Sequence, residues 1–170
     1  MKRKILIALG ITLLLAALAG GYFGYKILTT PKKVHYHAGF VVFQNDKKID
    51  FSDFKYMRVK PCDDVKGNDT DEDIQAEKAH LHDQVGDIVH VEREGGYWRD
   101  LFSNIKYPID YSKAKAYVNG KEVKDFQDTK IIPYESIVIL MGKNTSTHEN
   151  DAVSKKYIEK KEKESVECGD

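Results

Sequence analysis

Five of the six histidines in this chain fall into two short clusters whose spacing suits a metal site. His35 and His37 form the first cluster, and His80, His82 and His90 form the second. Neutral imidazole is the commonest protein ligand for zinc, copper, nickel and iron. A single His-x-His pair is common in ordinary structural settings, but two such pairs with a further histidine predict a metal site. All five histidines are its predicted ligands.

Two carboxylates accompany the second cluster. Glu92 lies two residues after His90, so both side chains share one face of a strand, and we predict Glu92 as a further ligand. Asp83 directly follows His82 and could instead accept a hydrogen bond from a histidine N–H. Several imidazoles with one carboxylate form a borderline-soft set. Such a set suits Cu or Zn better than Mg or Ca, which prefer oxygen ligands.

The two cysteines leave alternatives open. Cys62 and Cys168 could form a disulfide in an oxidising compartment. Cys62 could instead be a thiolate ligand or a reactive thiol. Neither cysteine belongs to a Cys-x-x-Cys motif, so a thioredoxin-like redox role has little support.

Strand alternation decides whether the histidines can meet. The two members of the first cluster are two positions apart, so on a strand they share a face. His80, His82 and His90 share a face only if residues 83–87 form a five-residue loop, which places His80 opposite His90. A loop shorter by one residue would turn the two sets to opposite faces. The metal site therefore requires that register, or a bulge at Gly86.

The surrounding pattern predicts an α+β domain over residues 34–143, a small β-grasp-like mixed sheet with one helix. Asn119-Gly120 is a strong hairpin signal between two short strands. Apolar residues over 97–105 recur at the spacing of one helical face. The predicted elements, in chain order, are strands at 34–43, 48–51 and 87–92, a helix at 97–105, and strands at 114–118, 121–123 and 136–141.

The N-terminus indicates the compartment. Residues 1–4 are basic and predicted to be cytoplasmic, and the apolar segment 5–28 is long enough to span a bilayer as a transmembrane helix. Residues 29–33 are a predicted tether that leaves the domain outside the cell membrane. Ala17-Leu18-Ala19 has the form of a cleavage site, so secretion after signal cleavage is the alternative.

Charge limits the partners. The whole chain is neutral, but residues 1–30 carry four basic and no acidic side chains, which leaves a net charge of −4 on the remainder. An acidic domain does not suit nucleic acid, whose binding rests on phosphate neutralisation. The membrane is the one partner predicted, and a protein partner is not identified. Residues 144–170 are rich in Lys and Glu and are predicted to be a solvated helix or a disordered tail.

The pattern His35-x-His37, His80-x-His82-Asp83 and His90-x-Glu92 resembles an uncharacterised family of small exported or membrane-anchored prokaryotic proteins. The resemblance covers residues 34–141 and implies the site rather than an activity. Two segments depart from the family pattern, namely the acidic insertion at 63–77, which we predict to be solvated, and Gly95-Gly96-Tyr97-Trp98.

Three function classes remain open. The first is a membrane-anchored extracytoplasmic metal-binding module that buffers or carries Cu or Zn, or serves as an accessory subunit. The second is a metal-dependent enzyme that uses the same histidines, with Glu92 as the base that activates water. The third is a structural envelope or partner-binding domain. No separate nucleophile or substrate pocket can be read from so small a domain, so the sequence favours binding over catalysis.

Overall fold

The structure is a computed structural model that describes residues 2–58 and 70–165. The chain divides after Lys32 into two compact units, an N-terminal helix and a folded domain. Cys62 and Cys168 both lie outside the described residues, so their predicted disulfide or thiol role stays a prediction.

Helix α1, Lys2–Thr29, forms the first unit. Its segment Leu9–Lys26 has a mean hydropathy of 1.3, and none of that segment is buried within the protein. Near its end, the Thr29 and Thr30 hydroxyls donate to backbone carbonyls one turn earlier, and Pro31 follows. The helix is apolar and long enough to cross a membrane, although a signal sequence has the same properties.

The second unit is an α+β domain with a mixed six-stranded sheet, as the sequence predicts. Five strands lie in the order β2-β1-β6-β4-β5, and β3 also pairs with β1. Strands β1 and β6 are parallel, whereas the other pairs are antiparallel. The elements are β1 (Lys33–Gln44), β2 (Lys47–Lys48), α2 (Asp71–Glu77), β3 (Ile88–Arg93), α3 (Trp98–Asn104), β4 (Lys115–Val118), β5 (Lys121–Val123), β6 (Ser136–Met141) and α4 (Lys155–Glu164).

Two tight turns set the hairpins. Asn119 and Gly120 have φ angles of 53° and 71°, and Asn45 and Asp46 have φ angles of 52° and 62°. Positive φ at both central residues is the pattern of a type I′ turn, whose twist matches that of the flanking strands. The hairpin predicted at Asn119-Gly120 is therefore confirmed. Strand β2 is shorter than the predicted 48–51.

Strand β1 lies at the centre of the sheet and is buried on both faces from His37 to Phe43. On one face, Phe40 contacts Phe102 of helix α3 with ring centroids 6.1 Å apart. The apolar side of α3 predicted from the sequence is buried, including Trp98 and Leu101. A smaller cluster on the opposite face is formed by Val41, Phe43, Val138 and Leu140. Burial on both faces fixes β1, and the histidines at its start, in a rigid setting.

The described part of the C-terminal segment contains helix α4 and packs onto the domain. The Ser154 hydroxyl accepts a hydrogen bond from the Tyr157 backbone N–H at 3.3 Å, which caps the helix. Ile158, one of the few apolar side chains of this segment, is fully buried. Val153 donates its backbone N–H to the Ser136 hydroxyl at 3.0 Å. Of the two predicted alternatives, the helix is found over Lys155–Glu164, and one of its faces is covered by the domain.

Gly86 occupies a position where no side chain fits. A Cβ atom added there would lie 2.4 Å from the Ser52 nitrogen and 2.6 Å from the Phe51 carbonyl carbon. We expect Gly86→Ala to lower the free energy of unfolding by about 1–3 kcal/mol, because backbone atoms must move to accept the methyl group. Urea denaturation of the full chain in detergent measures this loss. The matched control is Glu94→Ala at an exposed turn, and equal stability of the two variants would contradict the expectation.

Candidate metal centre

Three extended segments bring three of the five histidines to one row across the sheet. His37 of β1 is the Cα partner of His90 of β3, and His90 in turn pairs with His80 on its other side. His80 and His90 exchange two backbone hydrogen bonds, of 3.0 and 2.9 Å. This pairing is the register of the five-residue loop at 83–87, which is one of the two arrangements that the metal site requires.

His90 lies at the centre of the cluster. Its ring centroid is 4.3 Å from that of His37, 4.4 Å from His82, 4.6 Å from His35 and 5.0 Å from His80. Four of the five rings are buried, and only His35 is exposed. The two clusters, whose members are 43 to 55 positions apart in the sequence, thus form one compact group of imidazoles.

The five histidines form two overlapping sets of three. The inner set is His80, His82 and His90, and the outer set is His35, His37 and His90. Within each set, one ligand nitrogen from each ring lies within 4.8 Å of the other two. Three imidazole nitrogens at this separation could hold a transition-metal ion after small adjustments of the rings.

Hydrogen bonds orient three of the rings. The Nδ1 atoms of His80, His82 and His37 face the Ala76 carbonyl at 3.2 Å, the Asp83 carboxylate at 2.9 Å and the Glu162 carboxylate at 3.4 Å. These oxygens accept hydrogen bonds, so Nδ1 carries the hydrogen and Nε2 keeps the lone pair. Metal-binding histidines are commonly held in this way, through the nitrogen that does not bind the ion. The predicted role of Asp83 matches its contact with His82.

Glu92 lies beside the inner set rather than within it. Its Oε2 atom is 4.0 Å from His80 Nε2 and 3.4 Å from Arg58 Nη1. Burial raises the pKa of Glu92 to about 7, although the Arg58 guanidinium acts in the opposite direction. Glu92, a predicted ligand, therefore lies next to His80 and is held by the Arg58 guanidinium.

Burial lowers the pKa of His37, His80 and His90 below the ordinary histidine value. The Arg58 charge lowers the pKa of His80 further, and the neighbouring imidazoles act in the same direction on His90. The cluster therefore favours neutral imidazole, which is the form that binds metal.

One buried nitrogen of the outer set suits a cation. His37 Nε2 is buried and has no hydrogen-bond partner among the described residues. A buried polar atom in this state costs free energy, so its lone pair is available to a metal ion. The sixth histidine, His148, lies elsewhere, where it stacks on Phe43 and contacts Asp46 and Asp151.

Two contacting residues were not found from the sequence. Glu162 of helix α4 lies within a Lys/Glu-rich segment, where nothing distinguishes it from its neighbours. It also accepts a hydrogen bond from the Tyr134 hydroxyl at 2.9 Å. Arg58 precedes the segment 59–69, which the structure does not describe, and no local pattern marks it as a partner of Glu92.

No protein-family model, curated protein or solved structure matches this chain. The feature of this chain that bears on function is therefore the geometry of the histidine cluster.

Proposed function

We propose that this chain is a membrane-anchored, extracytoplasmic metal-binding module for Cu or Zn that serves in metal buffering, carriage or an accessory role. The observation that carries the proposal is the convergence of four histidines on a fifth, His90, with four of the five rings buried. Five all-nitrogen donors favour Cu or Zn over Mg or Ca. Burial of rings held by hydrogen bonds favours retention of an ion over loose surface association.

The proposed location is the cell membrane, with the N-terminus inside and the domain outside. Lys2, Arg3 and Lys4 precede the apolar part of helix α1, which supports this orientation. Secretion after signal cleavage is the alternative, and it leaves the domain in the same compartment. The membrane is the proposed partner, and the acidic domain argues against nucleic acid.

The order of the strands and the histidine signature support proposals on the fold type and the family of this chain. We propose a β-grasp-like sheet, and the order β2-β1-β6-β4-β5 with parallel β1 and β6 supports it. We also propose membership of the family of small exported proteins that the His-x-His and His-x-Glu signature resembles. Neither proposal adds an activity.

The enzyme alternative has weaker support. An enzyme of this type needs a carboxylate free to take a proton from metal-bound water. Glu92 is the nearest candidate, but its Oε2 atom lies 3.4 Å from Arg58 Nη1, so the guanidinium competes with water for that oxygen. The third class, a structural or partner-binding domain, does not account for a group of five imidazoles of which four are buried.

The test is metal titration of the full chain in detergent after treatment with a chelator. We expect wild-type protein to bind Zn²⁺ or Cu²⁺ tightly, and His35→Ala to lower the affinity of the outer set by at least about 10-fold because one ligand is lost. His35 is exposed, so its removal is expected to leave the fold unchanged.

The matched control is His148→Ala, which removes a histidine outside the cluster and should bind metal like wild type. Isothermal titration calorimetry and elemental analysis of the dialysed protein both report the outcome. Wild-type protein that retains no metal, or equal losses in the two variants, would overturn the proposal.

A further inference from the structure

We propose that the histidine cluster is a dinuclear centre in which the His90 ring bridges two metal ions, one in the inner set and one in the outer set. This inference rests on the proposed metal-binding function. The observation behind it is that His90 is the one residue common to both three-histidine sets. Each ion then has three imidazole ligands with one of them shared.

A histidine that belongs to both sets must bind two separate ions, because of the geometry of the imidazole ring. The lone pairs of Nδ1 and Nε2 point away from each other, so one ion cannot bind both nitrogens of a ring. His82 Nε2 lies 2.6 Å from His90 Nδ1, which assigns Nδ1 to the inner set. The buried Nε2 of His90 lies on the opposite edge of the ring and is assigned to the outer set. Ions on both nitrogens would be about 6 Å apart, from metal–nitrogen bonds of about 2 Å.

Metal entry requires modest movements of the rings. Two nitrogens bound to one tetrahedral ion are about 3.3 Å apart, so the His82–His90 contact must widen from 2.6 Å. The His37 and His90 rings are stacked at 7°, and parallel rings cannot both direct in-plane lone pairs at one ion. The His37 ring must therefore turn, and its 3.4 Å contact with Glu162 is long enough to be given up.

The two positions differ in their access to solvent. All three members of the inner set are buried, with exposed fractions of 7 % or less. The outer set includes the exposed His35, so an ion there has a route to water or to a partner's ligands. We therefore expect the inner ion to exchange slowly and the outer ion to be removed first by a chelator.

Proton balance follows from the bridge. Neutral His90 carries one N–H hydrogen, and a ring with a metal on each nitrogen carries none. Binding of the second ion therefore releases that proton to solvent, and the ring becomes an imidazolate that binds through both nitrogens. No electron is transferred in this step.

Stoichiometry and electron paramagnetic resonance of the Cu²⁺-loaded full chain in detergent test the bridge. We expect two Cu²⁺ per chain by elemental analysis, with a spin-integrated signal well below that of two isolated ions because imidazolate couples them. His35→Ala should retain one Cu²⁺ with the full signal of a single ion. His148→Ala should match wild type in both readouts.

The other outcomes separate the inference from the proposed function. One Cu²⁺ per chain, or two with the full uncoupled signal, would overturn the bridge and leave metal binding intact. No bound Cu²⁺ or Zn²⁺ would overturn both. Two Zn²⁺ per wild-type chain, with one removed readily by a weak chelator, would support the bridge by a second measurement.

Discussion

The metal-free protein is expected to lose about 2–4 kcal/mol of its free energy of unfolding as the pH falls from 6.5 to 5. The cause is the burial of His37, His80 and His90, which lowers the pKa of each ring in the folded state. In the unfolded chain these rings titrate near 6.5. Below that pH the histidines are protonated in the unfolded state but stay neutral in the folded state, so acid favours unfolding.

Glu92 acts in the opposite direction over part of this range. Its folded-state pKa is raised to about 7, so between pH 7 and about 4.5 the folded state holds a proton that the unfolded state has released. The proton held by folded Glu92 offsets about one of the protons that the histidines bind in the unfolded state. The net difference is then one to two protons, each worth about 1.4 kcal/mol per pH unit.

Urea denaturation at several pH values between 7.5 and 5, with a chelator present, measures the slope. The slope should persist in His148→Ala, since that histidine is outside the cluster. Saturating Zn²⁺ should raise stability most near neutral pH, because protons and metal compete for the same nitrogens. Stability that is independent of pH in the metal-free protein would show that the rings are protonated within the fold.

The core of the site could be predicted because its signals are local. Residues of a His-x-His pair share a face on any strand, and the length of the loop at 83–87 decides which face the second pair shares. The turn at Asn119-Gly120 and the apolar side of α3 are likewise short-range patterns. Each of these depends on residues within about ten positions of one another, where geometry leaves few alternatives.

The supporting contacts could not be predicted, because their partners are far apart in the sequence. Glu162 reaches His37 across 125 positions, and Ile158 is a single apolar residue among lysines and glutamates. Neither position has a periodic pattern that would assign it a neighbour. The acidic insertion did contain a local pattern that predicts a helix start, because Thr70 and Asp73 form a capping box at the beginning of helix α2. The prediction of a solvated insertion missed that helix.

A buried ion-pair network joins helix α2 to strand β3 behind the inner set. The Arg93 Nε atom donates to the Glu77 carboxylate, and the second oxygen of Glu77 lies 3.7 Å from Arg58 Nη2. The Arg93 and Glu77 side chains are only 5 % and 7 % exposed. The same helix supplies the Ala76 carbonyl that faces His80 Nδ1, so the network positions α2 and, through it, a metal ligand.

Arg93→Met is expected to lower the free energy of unfolding by about 3 kcal/mol, because it leaves the Glu77 carboxylate buried with a more distant cation. The metal affinity of the inner set should also fall, by about 10-fold, as the orientation of His80 is loosened. Chemical denaturation and metal titration of the full chain measure the two effects. The control is Arg99→Met, which breaks an exposed pair with Asp128 and should cost about 1 kcal/mol or less.

A double-mutant cycle separates the pair from the packing of the arginine stem. If the cost arises from the carboxylate left behind, Arg93→Met combined with Glu77→Leu should lose less stability than the two single variants added together. Strict additivity would attribute the loss to packing alone and would contradict a role of the ion pair in positioning His80. Recovery of metal affinity in the double variant would not be expected, because α2 would still lack its polar connection to β3. The stability and affinity effects therefore have different signatures in the cycle, and this difference would identify the network as a support of His80 as well as of the fold.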